Sequence, residues 1–317
     1  MKNIFGSEIV RNKLIDRNLL ASVIEHQMKG ISEQELISMI YSKYEAIIDF
    51  SRLCNNEKAG YNISLLFNPH RYSTRTKNSI SILDAFQQDN NFLSGLARAT
   101  LFKINRYKDW NLLDEILRLG INGVQYVNEF PPYIARDFYK SFSARRILDP
   151  CAGWGGRMIG AASVGSFYHG FEPAKKTFLG LLKLGDFLKK FNTGFDFKIE
   201  NICFEDAKIK ENYDFALTSP PYYDTEIYSE EKTQSCNRYG SFKEWCEKFY
   251  IPLCEKTIKK TKSFVINIGS RKYDLKGVLL EAFPETKEVR SYQKFFMGSK
   301  GLGKKENGKE AFYLVMK

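Results

Sequence analysis

The sequence has few of the residues that build metal centres. Its six cysteines are scattered without a Cys-x-x-Cys pair, and its three histidines, His26, His70 and His169, stand alone. These spacings argue against structural zinc, and we expect no bound metal. Widely spaced cysteines are typical of reduced thiols, so we expect a cytoplasmic protein.

Long apolar runs are missing as well. No stretch reaches the ~18 consecutive apolar residues of a membrane-spanning helix. Residues 1–6 lack the apolar segment and small-residue cleavage site of a secretory signal. Internal repeats and low-complexity linkers are also absent. We therefore expect a chain without a membrane span and without a leader.

Positive charge is present in excess. The 317 residues carry 48 Lys and Arg against 37 Asp and Glu, a formal net charge of +11. Such an excess favours a polyanionic partner, although a lysine-rich surface alone also produces it. Arg71 lies in one basic cluster, and Lys304 and Lys305 lie in another near the C-terminus. We predict these three as nucleic-acid contacts.

The hydrophobic pattern of the sequence changes near residue 145. Residues 1–125 show mainly helical patterns, whereas short apolar runs then alternate with helical segments. This alternation predicts a mostly parallel sheet covered by helices on both faces, with an antiparallel hairpin formed by the last two strands. The predicted strands are 146–148, 167–171, 197–202, 215–217, 264–268, 288–296 and 311–316.

A glycine-rich turn follows the first predicted strand. Residues 147–157 read Ile-Leu-Asp-Pro-Cys-Ala-Gly-Trp-Gly-Gly-Arg, and such a loop suits a nucleotide or a plain tight turn. The second strand leads to Glu172, placed to grip ribose hydroxyls, and the third leads to Glu205 and Asp206, able to accept from an adenine amino group. A Gly-Lys-Ser/Thr phosphate loop is absent, which disfavours nucleoside triphosphate hydrolysis.

The fourth strand ends in Thr218-Ser219-Pro220-Pro221-Tyr222. Two prolines hold the backbone rigid and remove two N–H donors, so Ser219 and Pro220 offer acceptors on a stiff turn beside the ring of Tyr222. This arrangement suits a planar group with an exocyclic amino group, since the oxygens accept its protons and the ring stacks on its face.

These motifs together resemble S-adenosylmethionine-dependent DNA methyltransferases that methylate exocyclic amino groups. The donor loop and the Asp/Asn/Ser-Pro-Pro-Tyr motif of that family match 149–156 and 219–222, and the resemblance covers roughly 126–317. It implies a Rossmann-like methyltransferase domain over 126–317, preceded by a mainly helical region, 1–125, that is a candidate for substrate recognition. Only 62 positions separate Gly156 from Thr218, too few for an inserted recognition domain.

The resemblance also implies roles for individual residues. The catalytic residues would be Ser219, Pro220, Pro221 and Tyr222. Substrate contacts are predicted for Tyr223, Tyr228 and Asn267, in addition to the basic residues. S-adenosylmethionine would contact Asn128, Pro131, Asp149, Pro150, Ala152, Gly153, Gly155, Glu172, Glu205, Asp206 and Thr218.

The acceptor base follows from the first residue of the tetrapeptide. In the family, serine is associated with cytosine N4 methylation, and aspartate or asparagine with adenine N6 methylation, so Ser219 favours cytosine in DNA. Adenine, RNA, a protein amide, or transfer of another group to a base amine remain as alternatives. A DNA-binding module without turnover is the non-enzymatic alternative.

Overall fold

The computed structural model describes residues 32, 34, 41–76, 81, 84, 129–269, 272–295 and 307–316. The chain divides into two compact units. One comprises Met1–Ser42, Pro69–Asn128 and Ser299–Gly301, and the other Lys43–Asn68, Glu129–Gly298 and Leu302–Lys317. The predicted boundary near 125 stays a prediction, because most of the residues before it lie outside the described part.

The first unit is described in short pieces. A 3-10 helix spans Pro69–Ser73 and a two-residue strand spans Arg75–Thr76. The Thr74 hydroxyl donates to the Arg71 carbonyl at 2.6 Å and closes the end of the 3-10 helix. Further along, the Asp84 amide donates to Ser81 Oγ at 3.1 Å, the bond that a serine makes at a helix N-cap.

The second unit is built on a seven-stranded sheet. Its order is β3-β2-β1-β4-β5-β7-β6, in which β1 to β5 run parallel and β7 is antiparallel to both β5 and β6. The strands are β1 Arg146–Asp149, β2 Phe167–Phe171, β3 Asp196–Glu200, β4 Tyr213–Thr218, β5 Thr261–Ile268, β6 Lys287–Phe295 and β7 Asn307–Val315. This confirms the predicted Rossmann-like sheet with its antiparallel edge hairpin.

Helices cover the sheet, as the alternating pattern predicts. A π-helical turn, Cys246–Tyr250, joins helix Phe242–Trp245 to helix Ile251–Lys260, and a short 3-10 helix spans Ile63–Leu66. A two-residue strand, Glu226–Ile227, follows β4. The α-helices described in full are α1 Lys43–Cys54, α2 Pro132–Ser141, α3 Gly156–Ser163, α4 Lys175–Lys189, α5 Ser235–Arg238, α6 Phe242–Trp245, α7 Ile251–Lys260 and α8 Leu275–Ala282.

Local sequence signals account for several helix starts. Pro132 occupies the first turn of α2, where its missing N–H costs no hydrogen bond. Ser241 caps α6 by accepting from the Glu244 amide at 3.1 Å, and Asp274 caps α8 by accepting from the Gly277 amide at 2.8 Å. Such caps typically stabilise a helix by ~1 kcal/mol each.

The two faces of the sheet carry separate apolar layers, because neighbouring residues of a strand point to opposite sides. On one face, Phe215 packs against the rings of Tyr139 and Phe142, with centroids 6.0 and 4.5 Å away. On the other, a buried cluster joins strand residues to the helices that follow β4 and β5; its members include Leu148, Ala216, Phe264, Ile266, Trp245, Tyr250, Leu253, Leu275 and Leu279.

The topology places the candidate site at the carboxyl ends of β1 and β4. β1 lies between β2 and β4 in the sheet. The chain adds β2 and β3 on one side of β1 and then crosses to add β4 and β5 on the other side. Ligands of open α/β sheets bind at such a switch point. Within the described ranges, no helix has the length and apolarity required to span a bilayer, and no cluster of His, Cys, Asp and Glu could hold a metal ion.

Candidate active site

Asp149 stands at the end of β1 and is completely buried. Its Oδ1 accepts from the Cys151 amide at 3.2 Å and from the Thr218 hydroxyl at 2.9 Å. Its Oδ2 accepts from Arg157 Nε at 2.7 Å and from the Tyr168 hydroxyl at 2.6 Å. With four donors on two oxygens, the carboxylate joins the glycine-rich loop, α3, β2 and β4 at one point.

Arg157 neutralises this buried charge from the first turn of α3. The residue is only 4% exposed. It also donates to the Cys151 carbonyl, and its guanidinium lies 4.9 Å from the centroid of the Phe130 ring. The nearby Asp149 carboxylate raises the pKa of Arg157 against the opposing effect of burial. An arginine in the positive first turn of a helix is unfavourable unless an acid compensates it, which is the sequence signal for this unpredicted residue.

The loop between β1 and α3 depends on two glycines with positive φ. Gly153 has φ +55°, and a Cβ added there would meet nothing nearer than the Cys151 carbonyl oxygen at 3.9 Å. Gly155 has φ +98°, and a Cβ there would overlap the Leu184 side chain. Gly153 thus faces open space, whereas Gly155 packs tightly on α4. The buried Pro150 and Ala152 complete the loop, and the Ala152 amide donates to the Phe171 carbonyl at 2.9 Å.

Glu172 follows β2 and faces the same loop. Its Oε2 accepts from the Gly153 amide at 3.1 Å and its Oε1 from the Ala174 amide at 2.9 Å. The side chain is buried, and this desolvation raises the pKa of Glu172 from its usual value near 4.5 to about 8, although the two amide donors act in the opposite direction. The carboxyl is therefore poised to ionise near neutral pH beside a backbone that approaches closely.

Glu205 and Asp206 lie in the turn after β3, and both side chains already have partners. Arg238 donates to both oxygens of Asp206, at 2.6 and 2.9 Å, and this lowers the pKa of Asp206. The Tyr239 hydroxyl donates to Glu205 at 2.9 Å. Lys256 Nζ donates to the carbonyls of this turn, including that of Glu205 at 2.7 Å. The turn is thus held in place by cations from α5 and α7.

The segment before α2 packs directly on the glycine-rich loop. A Cβ at Gly156 would overlap the Phe130 carbonyl oxygen, so only glycine permits this approach. Pro131, half-buried, forms the N-cap of α2, and the Ser64 hydroxyl anchors Glu129 at 2.6 Å. Asn128, the other residue predicted here, lies outside the described residues.

Asn68 supports the loop from a different direction. Its side chain is completely buried, and its Nδ2 donates to the Trp154 carbonyl at 3.2 Å. A Cβ at Gly180 in α4 would overlap Asn68, so the close approach again depends on a glycine. Nothing in the local sequence marks Asn68 as a partner of a loop 86 residues away.

The tetrapeptide continues directly from β4. Ser219 is half-buried, Pro220 is buried, and Pro221 and Tyr222 are half-buried. Asn267 of β5 reaches this turn from the neighbouring strand. Its Oδ1 accepts from Ser219 Oγ at 3.2 Å and from the Tyr222 hydroxyl at 3.4 Å. The structure therefore brings the predicted Asn267 into contact with two of the predicted catalytic residues.

Tyr223 turns away from the tetrapeptide into an aromatic group. Its backbone φ of +53° is rare for a residue with a side chain. Its ring packs 5.5 Å from Tyr273 and 6.0 Å from Phe242, while the next residue, Asp224, accepts from Lys272 and the Tyr273 hydroxyl, each at 2.6 Å. These contacts hold the strained turn and anchor its far end.

Tyr228 lies across from the glycine-rich loop. Its ring is 6.0 Å from that of Trp154 in an edge-to-face arrangement, and its hydroxyl donates to Glu226. Gln234 holds the surrounding backbone by accepting from the Tyr228 and Ser229 amides at 2.8 and 2.7 Å. The chain after the tetrapeptide thus folds back towards the loop after β1.

The predicted basic contacts are placed differently. Arg71 belongs to the first unit, in the 3-10 helix Pro69–Ser73, where it is 2% exposed. Lys304 and Lys305 lie outside the described residues. All three stay predictions.

Neither a protein-family model nor a curated protein matches the chain. Solved structures align with part of it. TehB from Haemophilus influenzae has 13% identity over 57% of this chain and 60% of its own, with a TM-score of 0.38. Magnesium protoporphyrin IX methyltransferase (ChlM) from Synechocystis PCC 6803, solved with bound SAM, has 9% identity over 64% of this chain and 90% of its own, TM-score 0.38. An rRNA methylase from Streptococcus thermophilus has 14% identity over 59% and 96%, TM-score 0.37. Likeness at this level establishes neither activity nor substrate.

Proposed function

We propose that the protein transfers a methyl group from S-adenosylmethionine to the exocyclic amino nitrogen of a base in DNA, with cytosine N4 as the acceptor. The Thr218–Asp149 hydrogen bond is the observation that carries this proposal. It joins a glycine-rich loop suited to a nucleoside to a Ser-Pro-Pro-Tyr turn suited to a base amine, at the ends of adjacent parallel strands.

The residues after β1 and β2 fit the nucleoside part of the donor. Gly153 leaves open space above its backbone, and the Glu172 carboxyl beside it can accept from ribose hydroxyls. Pro131 directly follows Phe130, whose carbonyl packs on Gly156 of the loop. For the adenine end, Asp206 is half-exposed, but Arg238 already occupies its two oxygens, so the donor's amino group would have to share them.

Asp149 acts on the donor site indirectly in this proposal. Its oxygens are filled by protein donors and its side chain is completely buried, so it positions the loop and Thr218. When bound, S-adenosylmethionine supplies an electrophilic methyl group on a sulfonium.

The tetrapeptide prepares the acceptor amine. A base amino nitrogen is a poor nucleophile because its lone pair is delocalised into the ring. The Ser219 hydroxyl and the Pro220 carbonyl accept hydrogen bonds from its two N–H groups and so localise the lone pair, while the Tyr222 ring stacks on the base. The lone pair forms the bond to the methyl carbon as the carbon–sulfur bond breaks, the sulfur leaves as a neutral thioether, and the methylated nitrogen releases one proton to water. Bringing both partners into one orientation makes the step effectively unimolecular. A target in duplex DNA must first be flipped out of the helix.

The remaining predicted substrate contacts differ in the observations that support them. The Tyr228 ring contacts that of Trp154 and suits a wall of the base pocket, whereas Tyr223 is packed in its aromatic group and suits support of the turn. Lys304 and Lys305 are proposed phosphate contacts on the basis of the net charge of +11. Arg71 is 2% exposed, so it would have to expose its side chain to act as a third.

The test combines product identification with donor binding. We would express the chain in a host lacking DNA methylation, digest DNA and RNA separately to nucleosides, and identify methylated bases by mass spectrometry. N4-methylcytosine in DNA alone is expected. Ser219→Ala is the matched control, since it should lose the product but keep the donor dissociation constant within about twofold. Methylated adenine, or product in RNA only, would change the acceptor; no product in either, with donor bound, would overturn the proposed reaction.

A further inference from the structure

We infer that Asn267 orients the Ser219 hydroxyl so that it can only accept from the substrate, which makes the site select an amino group over a carbonyl oxygen. This inference rests on the proposed function and assigns Asn267 as a positioning residue rather than a substrate contact. It starts from the three hydrogen bonds of the Asn267 amide.

The orientation of that amide is determined by its neighbours. Asn267 Nδ2 lies 3.4 Å from the Ala311 carbonyl oxygen, which can only accept. The amide nitrogen must therefore face β7, and Oδ1 must face Ser219 and Tyr222. The side chain is 3% exposed, so bulk water does not compete for either end.

The consequence for Ser219 follows from hydroxyl chemistry. An amide oxygen cannot donate, so the proton of Ser219 Oγ must point to Asn267. The two lone pairs of the hydroxyl are then left for the substrate. An N–H of an amino group satisfies them, whereas a carbonyl oxygen such as O4 of thymine or O6 of guanine would meet a lone pair. A serine without this partner could rotate and donate to such oxygens instead.

The strand register explains why Asn267 is in the right place. Thr218 pairs with Ile266 across the parallel β4–β5 ladder, so Asn267 and Ser219 each follow that pair by one residue. The same residue pairs with Phe312 in the antiparallel β5–β7 ladder, which brings it next to Ala311. The asparagine thus spans from the edge hairpin to the tetrapeptide.

Two substitutions of Asn267 distinguish an orienting role from a packing role. Asn267→Asp keeps an acceptor oxygen for Ser219, while Asn267→Leu has similar size but no acceptor. If Asn267 orients the hydroxyl, we expect Asn267→Asp to keep kcat within about threefold and Asn267→Leu to lose about tenfold or more, the worth of one hydrogen bond. Packing alone predicts the reverse order, because a buried site tolerates leucine better than an acid.

A second measurement replaces Ser219 with aspartate, which the Asp/Asn/Ser-Pro-Pro-Tyr motif also has at this position. In a Ser219→Asp background the acceptor is a carboxylate without a proton to direct, so Asn267→Leu should cost little there. The readouts are kcat with labelled S-adenosylmethionine on unmethylated plasmid DNA and on total RNA, the donor dissociation constant by calorimetry, and the unfolding midpoint. Donor affinity should stay unchanged in all variants. Should Asn267→Leu fail to fold, Asn267→Ala replaces it.

The outcomes separate the inference from the function beneath it. Equal kcat for wild type and Asn267→Leu, a larger loss in Asn267→Asp, or the same loss in both backgrounds would overturn the orienting role while the methyl transfer stands. If Ser219→Asp is itself inactive, the order of the two Asn267 variants decides. A wild type that binds donor but methylates neither acceptor would overturn the proposed function, and the inference would fall with it.

Discussion

The Thr218 hydroxyl donates to Asp149 Oδ1 across 2.9 Å, although the two residues are 69 positions apart in the chain. Both are completely buried. The bond makes the geometry of the tetrapeptide depend on the same carboxylate that organises the loop after β1. A substitution at either residue should therefore alter the structure around the other.

Thr218→Val tests this bond directly, since valine has nearly the same shape without the hydroxyl. Loss of one donor to a buried carboxylate should lower the free energy of unfolding by ~1.5–3 kcal/mol, measured by urea denaturation. Thr286→Val is the matched control, because the buried Thr286 hydroxyl has no hydrogen-bond partner among the described residues. Equal effects of the two substitutions would show that the bond contributes nothing measurable.

Arg157→Met should be more damaging, because it leaves the Asp149 carboxylate buried without its counter-charge. Breaking such a pair typically costs ~3–5 kcal/mol. The control is Lys262→Met, which removes a 3.1 Å ion pair with Asp214 whose lysine is 80% exposed. That pair should contribute less than ~1 kcal/mol. Combining Arg157→Met with Asp149→Asn should recover part of the loss; no recovery would argue against charge compensation.

Gly156→Ala should weaken donor binding, since its Cβ would push the Phe130 carbonyl and the segment before α2 away from the loop. We expect at least a tenfold increase in the donor dissociation constant, measured by calorimetry. Gly240→Ala serves as control because a Cβ there would meet only the Glu244 side chain at 3.7 Å. Unchanged donor affinity in Gly156→Ala would mean that this segment does not border the donor site.

Donor affinity should depend on pH through Glu172. If ribose hydroxyls bind its ionised form, a pKa of about 8 means that affinity falls by about tenfold per pH unit below 8 and is constant above it. Titration calorimetry between pH 6 and 9 measures this profile. Glu172→Gln should bind more weakly at high pH and show a flat profile. A sloping profile in that variant would assign the titration to another group.

The raised pKa of Glu172 also makes the free energy of unfolding depend on pH. Between pH 4.5 and about 8, the native state holds a proton on Glu172 that the unfolded state has already released. The free energy of unfolding contributed by this group therefore falls as pH rises through that window. Urea denaturation of wild type and Glu172→Gln across it should differ in slope, with the variant flatter.

The sequence alone predicted the sheet and the position of the candidate site along it. Strand–helix alternation after residue 145 predicted seven strands, and the structure has each of them within a few residues of its predicted position. Glycines at 153, 155 and 156 permit backbone conformations and close approaches that other residues do not, and the paired prolines fix the backbone of the turn. Both are local effects, so they can be interpreted without knowing what lies across from them. This is why the sequence points to the loop after β1 and the turn after β4 as elements of the candidate site.

Only the tertiary structure decided how these elements are held together. The Asp149 oxygens accept hydrogen bonds from Arg157, Tyr168 and Thr218, and Asp206 accepts from Arg238. The sequence could not predict these bonds, because the partners are distant along the chain and meet only when the sheet forms. The direction of the Asn267 amide likewise depends on an antiparallel neighbour in β7. Local pattern determines which backbone can bend or extend, whereas hydrogen-bond partners of buried polar groups depend on long-range packing.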